Sequence, residues 1–366
     1  MLNTIELAKE LIKFKSTPHN LEEIHNVTKF VLDYVQKHSK TALQTKILEK
    51  NGYPTLIIAT QSVKKPALTF YAHLDVVPAK NNDFTPVVKD NKLYGRGSGD
   101  MKGPAASLIN AFITLVNSNP NYDICLFLPT DEESGGHNCC KHAIETFGFR
   151  TKCVIMPDSG SGLDKIITNQ KGILFAEVKS TGLSSHGSRP WEGLNAIEQL
   201  LDFYQKLKQK FPKPESLNYY STCNLSQIEG GETFNSVAAN ASLTLDIRTA
   251  NKKDKKSIIA FFKRNNTKEI QIQTKFNEQA FEVSRHNKFL QLAKSVTESV
   301  IKKKVTFNKE HGGSDGRFFQ KIGVPCIVNG VAKEQTHADN EYAGIKEIHQ
   351  LEEFTVEFTK QFFELG

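Results

Sequence analysis

Through its first half the chain alternates short, predominantly apolar runs with stripes of helical period. ALTFYA (Ala67 to Ala72), ICLFLPT (Ile124 to Thr130) and KCVIMPD (Lys152 to Asp158) are runs of the first kind, the pattern of strands buried on both faces. TLIIAT, just upstream, is a further extended run, and helical stripes fall near residues 4–14, 21–38 and in PAASLINAFITLV from Pro104, with HNCCKHAIETF helical as well. That alternation predicts an α/β layer around a mostly parallel sheet. From about residue 173 the pattern changes: ILFAEVKS, SLTLDIR and EIQIQTKF alternate apolar and polar positions, as strands of an antiparallel sheet with one solvated face do. Between them Leu194, Ile197, Leu201, Tyr204 and Leu207 recur at helical spacing, a stripe that packs a core. After about residue 283 the α/β pattern returns, with PCIVNG as a strand and EIHQLEEFTVEFTKQFF as a closing helix. The expected organisation is one domain split into 1–172 and 284–366, interrupted by an α+β insert over 173–283.

Composition narrows the class. A chain of 366 residues, 39% hydrophobic, is long enough for about two domains. It carries no apolar run near the roughly 20 residues that span a bilayer. The N-terminal MLNTIELAKELIKF carries Glu6 and Glu10 among its apolar residues and reads as an amphipathic helix, not a signal peptide. The net charge of +7 gathers in lysine clusters at Lys252 to Lys256 and Lys302 to Lys304. No aromatic residues interleave them and no nucleic-acid motif accompanies them, so they read as solvated surface, with neither nucleic acid nor membrane expected as partner. The six cysteines form no CxxC pair, which points to reduced thiols in a cytoplasmic protein.

The residues that carry chemistry gather at predicted strand ends. His73 and Asp75 follow the first run two positions apart and so share a face. An imidazole that binds metal through one nitrogen usually gives the other N–H to a carboxylate, the role open to Asp75. Gly95, Gly97 and Gly99 give a sharp turn its backbone freedom, Pro104 suits the first turn of a helix, and Asp100 lies between them. Asp131, Glu132 and Glu133 follow the second run, and Asp158 ends the third. Ligands of open α/β sheets bind outside the carboxyl ends of the strands. Each residue alone has a plain reading as a satisfied core histidine or a solvated acid; their convergence is the signal.

HLDVVP followed by GRGSGDMKG, with the Asp-Glu-Glu run behind them, resembles the dinuclear-zinc aminoacylase and carboxypeptidase family (peptidase family M20), which includes succinyl-diaminopimelate desuccinylase and acetylornithine deacetylase. The resemblance implies a zinc-exopeptidase-like catalytic domain with an inserted lid and dimerisation domain, acting as a homodimer. It implies two divalent ions, zinc in the first place, with cobalt and manganese also suited to N/O ligands. His73, Asp100 and Asp158 would hold one ion; Asp100, Glu133 and His337, in QTHADNEY, would hold the other. Glu132 would be the general base acting on water at the metals, and Asp100 would precede a cis peptide to Met101. STGLSSHGSRPW matches the lid motif whose histidine, here His186, reaches the partner's active site and stabilises the carbonyl oxygen. Asn235 and Arg248 match lid residues that grip a substrate carboxylate, and Gly312, Gly313 and Ser314 open the substrate loop GGSDGRFF.

The implied activity is hydrolysis of an amide bond in an N-acyl amino acid or short peptide. Three departures bear on the substrate: Asp158 stands in PDSG where desuccinylases show glutamate followed by proline, Lys171 stands where they commonly have arginine, and Gly313 where they have threonine. Two other readings stay open. GGSDG is literally G-x-S-x-G, so Ser314 is a candidate serine nucleophile, although hydrolases of that type place the acid before the histidine. A non-catalytic dimeric binding protein on the same fold is the other.

Overall fold

The computed structural model describes residues 1–211, 218–332 and 339–365. They divide into two compact units: Met1–Thr168 with Val283–Asn308 and Ser314–Gly366, and Asn169–Glu282 with Lys309–Gly313. Lys309–Gly313 thus groups with the second unit, whereas the sequence pattern puts it in the returning α/β segment.

In chain order the first unit opens with α1 (Thr4–Lys13), α2 (Leu21–His38), β1 (Gln44–Lys50), β2 (Tyr53–Ala59), β3 (Leu68–Tyr71), β4 (Val87–Lys89), β5 (Lys92–Tyr94), α3 (Lys102–Ser118), β6 (Ile124–Leu128), a short α4 (Cys140–His142), β7 (Cys153–Met156) and β8 (Lys165–Gln170). Then come β9 (Gly172–Thr181), α5 (Ala196–Lys208), β10 (Thr222–Gly230), β11 (Asn240–Thr249), α6 (Lys252–Asn265), β12 (Ile270–Glu278) and β13 (Phe281–Glu282). The chain ends with α7 (Lys288–Ile301), β14 (Thr306–Glu310), α8 (Gly316–Lys321), β15 (Cys326–Val328), β16 (Tyr342–Gly344) and α9 (Ile345–Glu364).

The main sheet of the first unit runs β1-β2-β6-β3-β7-β15-β8. Its centre is parallel, since β3 pairs with β6 and β7, and β15 with β7, all in parallel register; β1, β2 and β8 flank it antiparallel. This is the mainly parallel α/β fold that the alternating apolar runs predict. The central strands β3, β6 and β7 are buried at every position, as strands covered on both faces are. Helix α3 is buried around nearly its whole circumference, which suits a helix clasped between the sheet and other helices. The strand β1 has no counterpart in the apolar pattern, because QTKILEK buries only Leu48. It is a hairpin partner of β2, joined through Asn51 and Gly52, both at positive φ, the Asn-Gly signature of a tight hairpin turn.

The second unit is a four-stranded antiparallel sheet, β10-β11-β9-β12. Leu174, Ala176 and Val178 on one face of β9 pack with Leu200, Phe203 and Leu207 of α5 and Ile258, Phe261 and Phe262 of α6. No helix among the described residues is long and apolar enough to cross a membrane.

Candidate metal centre

Sheet order decides which side chains meet. β6, β3 and β7 are neighbours running the same way, so the residues just beyond their carboxyl ends are brought to one edge. His73 lies just past β3, Glu132 and Glu133 open the turn after β6, and Asp158 comes soon after β7. One ligand atom each from His73, Asp100 and Glu133 lie within 4.8 Å of one another, and so do those from His73, Glu132 and Asp158. His73 is fully buried, with Nε2 3.2 Å from Asp100 Oδ1 and Nδ1 3.0 Å from the Asp75 carbonyl oxygen. The Nδ1–H directed at Asp75 leaves Nε2 as the coordinating nitrogen. Burial alone would lower the His73 pKa, but the Asp100 and Asp75 carboxylates outweigh it and hold the imidazole well above its ordinary value.

Asp75 has a second task that sequence spacing does not reveal. Its two oxygens accept the Glu132 and Glu133 backbone N–H groups at 3.3 and 3.0 Å. The carboxylate whose Oδ1 lies 3.5 Å from His73 Nδ1 therefore also fixes the turn that presents both glutamates. Burial first, then the charges of Asp158, Asp315 and Glu133, push the Glu132 carboxyl well above the ordinary range. Asp131 is buried behind them, accepts the Asn138 and Cys139 N–H groups at 2.6 and 3.2 Å, and is pushed up to about 7 chiefly by burial.

Asp100 ends the glycine loop, and its peptide bond to Met101 is cis. Gly95 and Gly97 sit at φ +144 and +86, conformations closed to most side chains. The loop winds around the Glu341 carboxylate, which receives the backbone N–H groups of Gly97, Gly99 and Asp100. Glu341 lies 241 positions from Asp100, and only its place shortly after His337 ties it to a recognisable motif. Lys102 is fully buried and donates Nζ to the Phe14 carbonyl at 2.6 Å; desolvation lowers its pKa to about 7.

Asp315 also lies behind the turn. Its fully buried carboxylate takes the Tyr71 hydroxyl at 2.8 Å and lies 3.3 Å from Arg317 Nη2, which donates to the Gly135 carbonyl at 2.8 Å. Ser314, 1% exposed, sets its Oγ 3.6 Å from Met156 Sδ and accepts the Gly316 N–H at 3.3 Å. Ser314 does lie between β14 and α8, but a serine nucleophile needs an exposed hydroxyl and that of Ser314 is buried.

The remaining expected residues lie in the second unit or outside the described residues. His186 and Asn235 are exposed neighbours there: His186 bridges to Ser236, and the Gly187 N–H meets the Asn235 carbonyl at 2.7 Å. Arg248 holds Asp246 with Nε at 2.7 Å and Nη2 at 3.2 Å. Gly312 is exposed and its carbonyl accepts the Lys171 N–H, while a Cβ on Gly313 would meet Lys171 O at 3.4 Å. His337 lies outside the described residues. One imidazole with four carboxylates is the hard N/O donor set that zinc, cobalt and manganese accept, so the residues His73, Asp100, Glu132, Glu133 and Asp158 fit divalent metal.

Comparison with known proteins gives the same direction. The model of "Peptidase family M20/M25/M40" matches residues 69–361. A succinyl-diaminopimelate desuccinylase of Pelagibacter ubique is 28% identical over 389 residues, covering 99% of either chain. Among solved structures, the aminopeptidase PepT of Bacillus cereus superposes with a TM-score of 0.80 at 18% identity, over 98% of this chain and 97% of that one. An M20 family metallo-carboxypeptidase, Sso-CP2 of Sulfolobus solfataricus, superposes with a TM-score of 0.78 at 20% identity, over 98% and 99%.

Proposed function

The chain belongs to peptidase family M20/M25/M40, and from that premise we propose that it is a two-metal amidohydrolase releasing an amino acid from an N-acyl amino acid or a short peptide. The carrying observation is the gathering of His73, Asp100, Glu132, Glu133 and Asp158 at one edge of the parallel sheet. In this reading His73, Asp100 and Asp158 hold one ion, and Asp100, Glu133 and His337 the other. Zinc heads the metals suited to these donors. When bound, such ions polarise a carbonyl and lower the pKa of water toward neutrality.

The chain's own residues then divide the work. Glu132 takes the proton of the attacking water and returns it to the departing amine nitrogen as the C–N bond breaks. Without metal, burial and the neighbouring acids hold its carboxyl well above the ordinary glutamate range. Asp75 keeps the His73 tautomer and the Glu132–Glu133 turn in place. The second unit serves as lid and dimerisation domain, with His186 supporting the carbonyl oxygen as it gains charge. Asn235 and Arg248 take a substrate carboxylate, which Arg248 exchanges for Asp246. Lys171 is only 4% exposed, no carboxylate among the described residues pairs with it, and desolvation and Arg248 lower its pKa. An anionic substrate group satisfies both cations. Six buried free cysteines accord with a cytoplasmic location.

The test is a hydrolysis panel of succinyl-, acetyl- and aminoacyl-amino acids with metal-reconstituted protein. Turnover abolished by a chelator and restored by zinc, cobalt or manganese is expected. Two equivalents of metal without turnover on any member would instead favour a binding protein. Chelator-resistant turnover blocked by a serine-directed probe would favour Ser314. A mixed dimer of one His186→Ala chain and one Glu132→Gln chain is expected to recover about half of wild-type activity, while either homodimer loses on the order of 10²-fold or more. A mixed dimer as inactive as its parents would confine His186 to its own subunit.

A further inference from the structure

Glu341 is 2% exposed, and both of its oxygens are saturated. Oε2 accepts Arg96 Nη1 at 2.6 Å and the Gly97 N–H at 3.1 Å, while Oε1 accepts the Gly99 and Asp100 N–H groups at 3.0 Å each. The Gly95 N–H reaches the Glu341 carbonyl at 3.0 Å, and Tyr342 pairs in register with Tyr94. Arg96, itself 3% exposed, faces this carboxylate from inside the loop. A buried carboxylate is costly unless its lone pairs are met by donors; here one guanidinium and three amides meet them. The converse also holds: three amide groups of one loop converge only because a charge stands at their centre, much as a bound anion organises a backbone nest. The last of those amides belongs to Asp100, whose carboxylate lies 3.2 Å from His73 Nε2.

We propose that Glu341 is a positioning residue of the metal centre, orienting Asp100 through its backbone amide and shaping the glycine loop before metal arrives. This rests on the reading of Asp100 as the ligand shared by both ions. Glu341 touches neither metal nor substrate in this role; it acts only through the loop. A charge-assisted bond to an amide is roughly twice as strong as a neutral one, so removing the charge relaxes all four contacts together. Glutamine keeps the length of the side chain but turns an NH₂ group toward one of the two donor pairs.

The experiment is titration of metal-free protein with Co(II), followed by calorimetry and by the visible absorption of the bound ion. Wild type, Glu341→Gln, Glu341→Asp and Leu351→Ala are compared, the last a buried core position of α9 that takes no part in the hydrogen bonds to Glu341. Glu341→Gln is expected to bind Co(II) about 10–100-fold more weakly, the usual effect of losing an outer-shell partner, with an altered absorption band. On turnover it is expected to lower kcat with little change in KM. Glu341→Asp, which keeps the charge on a shorter arm, is expected to fall between, and it carries the test if the glutamine variant does not fold. Leu351→Ala is expected to melt earlier yet bind Co(II) as wild type does. Wild-type affinity and spectrum in the Glu341 variants would overturn the inference, and so would equal losses in Leu351→Ala. A wild-type protein that binds no Co(II) would overturn the reading of the centre and this inference with it.

Discussion

At the scale of single residues, the acids of the centre differ in kind although they look alike in sequence. Glu132 and Glu133 are adjacent, and Asp75 holds both their amides, yet their carboxylates join different groups: Glu132 with His73 and Asp158, Glu133 with His73 and Asp100. In the proposed reading, Glu132→Gln is expected to keep both metals and lose on the order of 10²–10⁴-fold in kcat, whereas Glu133→Gln loses metal. Metal analysis beside steady-state kinetics checks the pair, and the opposite pattern would exchange their roles. His73, Glu132, Glu133 and Asp158 are legible in short motifs at the ends of apolar runs, and Asp100 at the end of the glycine loop before a helix. Glu341 and the second task of Asp75 are not, since their partners are backbone amides 241 and 57 positions away. A sequence pattern does not record which loop amide points at which carboxylate.

At the scale of elements, the buried strands β3, β6 and β7 and the helices α1, α2, α3, α5 and α9 follow from periodicity, since burial selects their residues; α6 and α7, whose buried residues are few among lysines and polar positions, and β8 do not stand out in the pattern. Nor do the hairpins. β1 and the β4–β5 pair are largely exposed, so no apolar pattern marks them, and their turns at Asn51-Gly52 and Asp90-Asn91 carry the information in φ instead. The turn after β6 is similarly specified by close approach: a Cβ on Gly136 would stand 2.1 Å from Asp315 Oδ1, and Gly136 has φ +67. Gly136→Ala is expected to cost about 1–3 kcal/mol in stability and to lower kcat by shifting the turn that carries Glu132. Gly312→Ala is the control, because nothing lies within 4 Å of its Cβ position; urea unfolding of both should show loss in the first alone.

At the scale of the whole molecule, the centre is a concentration of buried negative charge. Glu132 has its folded-state pKa raised by burial and by Asp158, Asp315 and Glu133. For an acid raised in the folded state, the penalty is absent below its unfolded value and grows as pH rises through the folded one. Metal-free protein is thus expected to lose Tm steadily on this account as pH climbs from the ordinary glutamate range through the raised one. Bound cations offset that charge, and a ligand at 100 times its Kd adds about 2.7 kcal/mol. Thermal melts with chelator and with zinc should therefore diverge as pH rises; parallel curves would show that no ion binds among these acids.

The first unit is assembled from Met1–Thr168, Val283–Asn308 and Ser314–Gly366, and this has a consequence for how the ribosome delivers it. β15 inserts between β7 and β8, although most of the second unit is made before it. Translation at about 5–20 residues per second leaves β7 with one edge unpaired for on the order of ten seconds or more. Exposed strand edges recruit other strands. The newborn chain therefore carries an open edge on β7 after most of the second unit has been made, and that edge stays open until Cys326–Val328 emerges. Nascent chains stalled before that segment should be cut readily within β3, β6 and β7, while the strands β9, β11 and β12 of the second unit resist the protease.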